Sequence, residues 1–250
     1  MDALAQYKKT RRRCRLVGVV LALLLLALLT GTVGLGTMEI TWRDVWHILW
    51  AKLTQNSELL TAIRPNVVAV VWELRLPRIL CGALVGAGLA TAGAVFQSIL
   101  QNPLADPYTL GISSGAAFGA ALAIVANLLL GIVLPIPLVA LAFALLTLLV
   151  VIAIARRGGG FERTNLIIAG IIVSAILSAG ISMLKVLAGE DVAAIVYWLM
   201  GSLGATDWGD VALVGSVVPV AFVLATLFAN DLNVMTLGSR NAEALGVPVA

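Results

Sequence analysis

Arg75 and Arg78 flank a proline in the stretch Leu74-Arg-Leu-Pro-Arg78, and Ser174, Ser178 and Ser182 recur every four residues within a long apolar run. Two guanidinium groups about one helical turn apart, flanking a proline at the water boundary, can anchor a helix end by snorkelling. Three hydroxyls on one helix face can line a polar pathway or bond to a neighbouring helix. Gln97 and Ser98 add polar groups to another apolar run. None of these arrangements performs covalent chemistry. The only histidine, His47, lies outside the apolar runs among tryptophans, where it faces water or headgroups or, alternatively, serves as a haem ligand. No serine or cysteine nucleophile therefore has a histidine beside it in an apolar run. No G-x-x-x-x-G-K-[ST] phosphate cradle and no H-E-x-x-H or histidine–cysteine cluster occurs. The expectation is no catalytic residue, no metal and no cofactor. No Asp or Glu falls within the apolar runs, so proton-driven pumping has no visible groups. Uphill movement of a solute would draw its energy from another subunit.

The elements that must position these residues are membrane spans. Hydrophobic residues make up 61% of the 250-residue chain and charged residues only 12%, with mean hydropathy +1.05. A soluble domain carries about 25% charged residues. Crossing the hydrocarbon core takes about 20 apolar residues as a helix. Six runs qualify: 16–36, 79–100, 111–133, 138–155, 166–186 and 211–229. The expected fold is an all-α, polytopic transmembrane protein with one membrane domain over 1–250. The first run follows a basic head and resembles a signal peptide. Its apolar core is longer than such peptides use and five further runs follow, so it is read as an uncleaved anchor. Gly82 and Gly86, and then Gly111, Gly115 and Gly119, repeat at four-residue spacing that lets helices approach closely.

Charge sets the expected orientation. With the N-terminus inside, the inner segments hold Lys8, Lys9, Arg11, Arg12, Arg13, Arg15, Arg156, Arg157, Arg163 and Arg240, and the outer ones hold Arg43, Lys52, Arg64, Arg75, Arg78 and Lys185. Ten basic residues against six favour this arrangement. The net charge of +3 thus reflects membrane orientation, with no nucleic acid partner expected. Cys14 and Cys81 fall on opposite sides and cannot pair within one chain. The outer segment 37–78 carries Trp42, Trp46 and Trp50 at four-residue spacing beside Val45 and Ile48, which predicts one helix face. It is read as a helix lying on the outer leaflet or, alternatively, as a stacking surface for substrate. Leu134-Pro-Ile-Pro137 predicts a tight outer turn, Arg156-Arg-Gly-Gly-Gly160 a flexible inner one, and 188–210 a longer, acidic outer connection. Gly238 and Gly246 bracket helix formers ahead of Pro248, which predicts a short surface helix.

Asn102-Pro-Leu-Ala-Asp-Pro107, followed by Gly111-Ile-Ser-Ser-Gly115, stands at one end of the second run, and Leu74-Arg-Leu-Pro-Arg78 at the other. Together with Leu237-Gly-Ser-Arg-Asn-Ala-Glu-Ala-Leu-Gly-Val247, these motifs resemble the permease family of bacterial ABC importers for ferric siderophores, haem and cobalamin. Trp198-Leu-Met-Gly-Ser-Leu-Gly204 is similar to the family's outer loop between its fifth and sixth spans. The resemblance covers residues from about 16 to 250. It implies a ten-span permease with two inverted halves, of which this chain holds six spans and is apparently truncated. It implies a bacterial plasma-membrane location and four kinds of partner: the lipid bilayer, a second permease subunit (identical or different), an ATP-binding subunit on the cytoplasmic face, and an extracytoplasmic substrate-binding protein. Under this resemblance Arg75 and Arg78 dock the binding protein, and the fifth span with Ser174, Ser178 and Ser182, together with Gln97, borders the pathway. Segment 237–247, with Leu237, Gly238, Ala242, Glu243, Leu245 and Gly246, is the helix that couples to the ATPase. The family pattern carries a basic residue where Glu243 stands. The competing expectation is a non-transporting membrane scaffold or an orphan half-permease.

Overall fold

The computed structural model describes residues 3–36, 38–61, 63–157 and 163–246, and its regular structure there is entirely helical. In chain order come α1 (Ala3–Gly34), α2 (Trp42–Thr54), a 3-10 turn (Ser57–Leu60), α3 (Pro65–Ala69), a π-helical segment (Val70–Arg75) and α4 (Leu76–Leu100). Then follow α5 (Ile112–Leu130), α6 (Ile136–Arg157), α7 (Arg163–Ala188), α8 (Val192–Met200), α9 (Trp208–Leu227), α10 (Ala229–Met235) and α11 (Ser239–Ala244). Among the described residues, six helical runs are long and apolar enough to span a bilayer: Lys8–Gly34, Pro65–Leu100, Ile112–Leu130, Ile136–Arg157, Arg163–Met200 and Trp208–Leu227. The glycines at 158–160, Val247 at the end of the third motif and Pro248 after it lie outside the described residues.

The chain divides into two compact units, Met1–Val85 with Leu203–Val217, and Gly86–Ser202 with Val218–Ala250. In the first unit, Val33, Ile40, Val45, Ile48, Ile63, Val67 and Val71 form the core. Helix α2 starts at Thr41, whose hydroxyl oxygen accepts from the Asp44 backbone N–H at 3.3 Å, an N-cap that satisfies one orphan donor. The structure corrects the single-face reading of this helix. Val45, Ile48 and Ala51 point into the core, whereas Trp42, Trp46 and Trp50 are 48%, 58% and 63% exposed on the other side. The helix is amphipathic with an aromatic outer stripe, as an interfacial helix requires.

The second span also begins earlier than the apolar run. Residues 65–75 belong to the same continuous helical stretch as α4, so Pro77 is inside the helix rather than at its first turn. The π segment accommodates it. The Leu76 N–H bonds to the Val71 carbonyl, five residues back, and the widened turn absorbs a proline that would disrupt a regular α-helix.

In the second unit, α5, α6 and α7 pack closely through small residues. A Cβ on Gly115 would stand 2.1 Å from Thr147 Oγ1 and 2.8 Å from the Phe143 carbonyl, and one on Gly119 would stand 2.6 Å from Phe143 Cβ. On α7, a Cβ on Gly170 would meet the Thr109 carbonyl at 2.8 Å, and one on Gly180 would meet the Phe118 ring at 2.6 Å. Gly170 admits the turn ahead of α5, and Gly115, Gly119 and Gly180 act by close helix approach, as their spacing predicts for the first two. Gly86 does not, since nothing lies within 4 Å of a Cβ built there. Leu100, Ala105, Leu110, Val151, Ala155, Leu166, Ala169 and Val173 form one core, and Ala121, Ile124, Val125, Leu184, Ala188 and Ile195 another. Ile195 belongs to α8, a helix within the stretch read from sequence as a plain connection. The run Val192–Met200 is apolar enough to fold back onto α5 and α7 through that one fully buried side chain.

Candidate functional site

The Leu74-Arg-Leu-Pro-Arg78 motif is a node of hydrogen bonds within the first unit. Arg75 is half-buried. Its Nη1 donates to the Val33 carbonyl at 2.9 Å and its Nη2 to the Met38 carbonyl at 3.1 Å. The guanidinium lies against Gly36, where a Cβ would crowd Nη2 and displace it from this position. Arg75 therefore ties the end of α1 and the chain after it to the π segment. Arg78 is exposed, and its Nε and Nη2 donate to the carbonyls of Leu203 and Gly204 at 3.1 and 2.8 Å. A cleft of about 500 Å³ opens beside both arginines, walled by Thr32, Leu35, Val70, Leu74 and Ile79 among others.

Pro77 leaves a second mark here. Continued by one residue, the π pattern would have residue 77 donate to the Trp72 carbonyl, but proline has no N–H. The indole Nε1–H of Trp208 supplies the bond instead, at 3.0 Å. The Trp72 and Trp208 rings are 4.8 Å apart at 37°, and Lys52 Nζ of α2 lies 5.4 Å from the Trp72 ring centroid, within cation–π range. This clasp was not foreseen from the sequence. Its signal was a proline placed inside a helix with tryptophans available on both sides.

The residues expected to border a pathway are placed as follows. Ser178 and Ser182 are exposed on α7, with the Ser182 hydroxyl donating to the Ser178 carbonyl at 3.1 Å. Ser174 is half-buried next to Gly111, where a Cβ would stand 2.5 Å from its Oγ. Gln97 is exposed on α4 and donates to the Pro103 carbonyl at 3.2 Å. The structure thus gives Ser174 to a loop–helix contact and leaves Ser178 and Ser182 on open helix surface.

The turn after α4 is built by its own side chains. Asn102 Oδ1 accepts from the Leu104 N–H at 2.9 Å, and Asp106 Oδ1 accepts from the N–H groups of Tyr108 and Thr109 at 3.0 and 2.9 Å. Gly111, at φ +75, then starts α5. Gln101 Nε2 donates to the Met235 carbonyl, which joins this turn to the end of α10. Beyond it, Gly238 at φ +106 and Gly246 at φ +85 bracket α11, which matches the predicted short helix. Leu237, Glu243 and Leu245 are exposed, but Ala242 is 0% exposed and turns inward. Ala242 is turned into the fold, and of the residues expected to couple, Leu237, Glu243 and Leu245 are the exposed side chains on and beside α11.

His47 is exposed on α2, and among the described residues no three His, Cys, Asp or Glu side chains converge on one point. Fold and site together define a multi-pass, all-α membrane protein whose described polar groups brace its own helices and turns. The FecCD transport family model matches residues 20–250, and the chain belongs to this family. The chain is 40% identical over 202 residues to the cobalamin import system permease protein BtuC of Halobacterium salinarum, covering 80% of this chain and 54% of that one. It is 36% identical over 224 residues to the uncharacterized ABC transporter permease protein YvrB of Bacillus subtilis, covering 87% of this chain and 62% of that one. It therefore spans little more than half the length of these relatives. A solved structure described as an inward-facing metal-chelate type ABC transporter superposes with a TM-score of 0.75 at 30% identity, over 92% of this chain and 68% of that one.

Proposed function

We propose that the chain is a membrane-spanning permease subunit of an ABC importer. It borders the pathway for an iron-siderophore, haem or cobalamin type substrate, and a separate ATPase subunit powers it. The observation that carries this reading is the FecCD family match over nearly the whole chain. The names of the relatives, one a cobalamin permease and one an ABC permease, support the same class. The chain itself performs no covalent step. Substrate moves by alternating access as the ATPases close on nucleotide and open after hydrolysis. The basic excess in segments 8–15 and 156–163 supports a cytoplasmic N-terminus and a plasma-membrane location. In that orientation 37–78 faces outward, and Arg78 stands on a rim where an extracytoplasmic binding protein would land. Segment 237–247 faces the ATPase through Leu237, Glu243 and Leu245. Gln97, Ser178 and Ser182 remain the polar groups available to a pathway, which a second permease subunit would complete. The test is to tag the chain in its native host, purify it and identify what accompanies it. An ATP-binding subunit and a binding protein carrying a metal chelate, haem or corrinoid would support the reading. Recovery with neither, alongside unchanged cellular uptake of all three substrate classes after gene disruption, would overturn it.

A further inference from the structure

Lys8, Lys9, Arg11, Arg12, Arg13 and Arg15 are all exposed on α1, which continues without a break into its apolar part. A pure orientation signal needs charge near the span but no particular shape. Here the charge is shaped. Lys9, Arg12, Arg13 and Leu16 follow i, i+3, i+4, i+7 on one helix face, and Arg15 and Val19 close its flank, around a surface concavity of about 540 Å³. One end of that concavity is cationic and the other apolar. Asp2 is the only acid in the first 38 residues, so the sequence offers these cations no neighbouring acid beyond it.

Depth fits the same occupant. At 1.5 Å per residue, the segment from residue 8 to 15 spans about 12 Å along the helix. The polar layers of a bilayer add about 10–15 Å in total to a core of about 30 Å. With Leu16 onward in hydrocarbon, the guanidinium groups of Arg12, Arg13 and Arg15 stand at the level of the lipid phosphates. Leu16 and Val19 lie where the acyl chains begin. Residues 8–28 of α1 are exposed, so nothing else among the described residues of its own unit covers this face.

We propose that the basic turn of α1 is a binding site for an anionic glycerophospholipid. Its phosphate is held between Arg12, Arg13 and Arg15, and its acyl chain runs along Leu16 and Val19. This requires only that α1 crosses the bilayer, not that the chain transports anything. Basic residues near a membrane surface are attracted to anionic headgroups, and their attractions add. The full chain is purified in detergent containing equal phosphatidylglycerol and phosphatidylcholine, and retained lipids are counted by native mass spectrometry. Wild type should hold phosphatidylglycerol in preference by about tenfold or more, and raised salt should erode that preference. Arg12→Gln with Arg13→Gln should lose most of it while four basic residues remain to orient the helix. Arg12→Lys with Arg13→Lys should keep much of it, and Arg156→Gln with Arg157→Gln should leave it unchanged. Equal retention of both lipids by wild type at low salt would overturn the proposal without reference to any variant. So would displacement of the lipid by an RNA oligonucleotide, or an undiminished preference in the Arg12→Gln, Arg13→Gln protein.

Discussion

The two arginines of one short motif do different work. Arg75 spends two donors on the carbonyls of Val33 and Met38 in a half-buried position, while Arg78 caps Leu203 and Gly204 from an exposed one. Hydrogen bonds from charged groups contribute about 1.5–3 kcal/mol, and least where water competes for the donor, as it does at exposed Arg78 but not at half-buried Arg75. Arg75→Gln should therefore lower the thermal midpoint in detergent by several degrees, with Arg78→Gln nearly silent in the same scan. On the docking proposal, Arg78→Glu, by contrast, should slow association with a substrate-binding protein and change its dependence on ionic strength. Equal melting losses for the two glutamine variants would remove the distinction. Trp208 gives a second prediction at this scale. Its indole satisfies the Trp72 carbonyl that Pro77 leaves open. Trp208→Phe should cost about 1–3 kcal/mol by stranding that carbonyl. Pro77→Ala supplies a backbone N–H in its place, so the same change should cost less in that background. A double-mutant cycle with no coupling energy would show that the bond does not depend on the proline. From sequence, both arginines were legible as a pair that binds or anchors. Their division of labour was not, because it depends on carbonyls over a hundred residues away for Arg78 and on a glycine gap for Arg75.

At the scale of elements, spacing of small residues told less than it promised. The four-residue repeat is the same in Gly115 and Gly119 as in Gly82 and Gly86, yet Gly86 faces open space. Periodicity names a face, but only the neighbour decides whether a methyl group fits. Gly115→Ala and Gly119→Ala should each destabilise by about 1–3 kcal/mol through overpacking against Phe143 and Thr147. Gly86→Ala should be neutral or slightly stabilising in the same melts. A loss at Gly86 equal to that at Gly115 would contradict the packing described. Helix α11 shows the same lesson. Its existence was legible from two glycines and the helix formers between them, but its inward side was not, since six residues carry too little periodicity to fix a face. Ala242→Arg should fail to fold or to accumulate, because the position is fully buried. Leu245→Asp should accumulate normally and, on the coupling proposal, hydrolyse ATP without transport. Normal transport by Leu245→Asp would dissociate α11 from coupling. Helix α8 and the early start of the second span were hidden for a related reason. Val192–Met200 is too short to register as a span, and charges at Arg64, Glu73, Arg75 and Arg78 interrupt the hydropathy of a stretch that is nevertheless helical.

For the molecule as a whole, composition carried most of the fold. Six apolar runs became six bilayer-length helical stretches, because a chain in lipid must satisfy its backbone internally and a helix does so within each segment. The proposed function rests on the family the chain belongs to. The most direct measurement reconstitutes the purified chain, with the subunits that accompany it, into proteoliposomes. Uptake of the ligand carried by the co-purified binding protein is then followed. The account predicts accumulation that requires ATP and the binding protein together and that stops when the ATPase is poisoned. Accumulation indifferent to ATP, or ATP hydrolysis by a complex that moves no ligand, would contradict it.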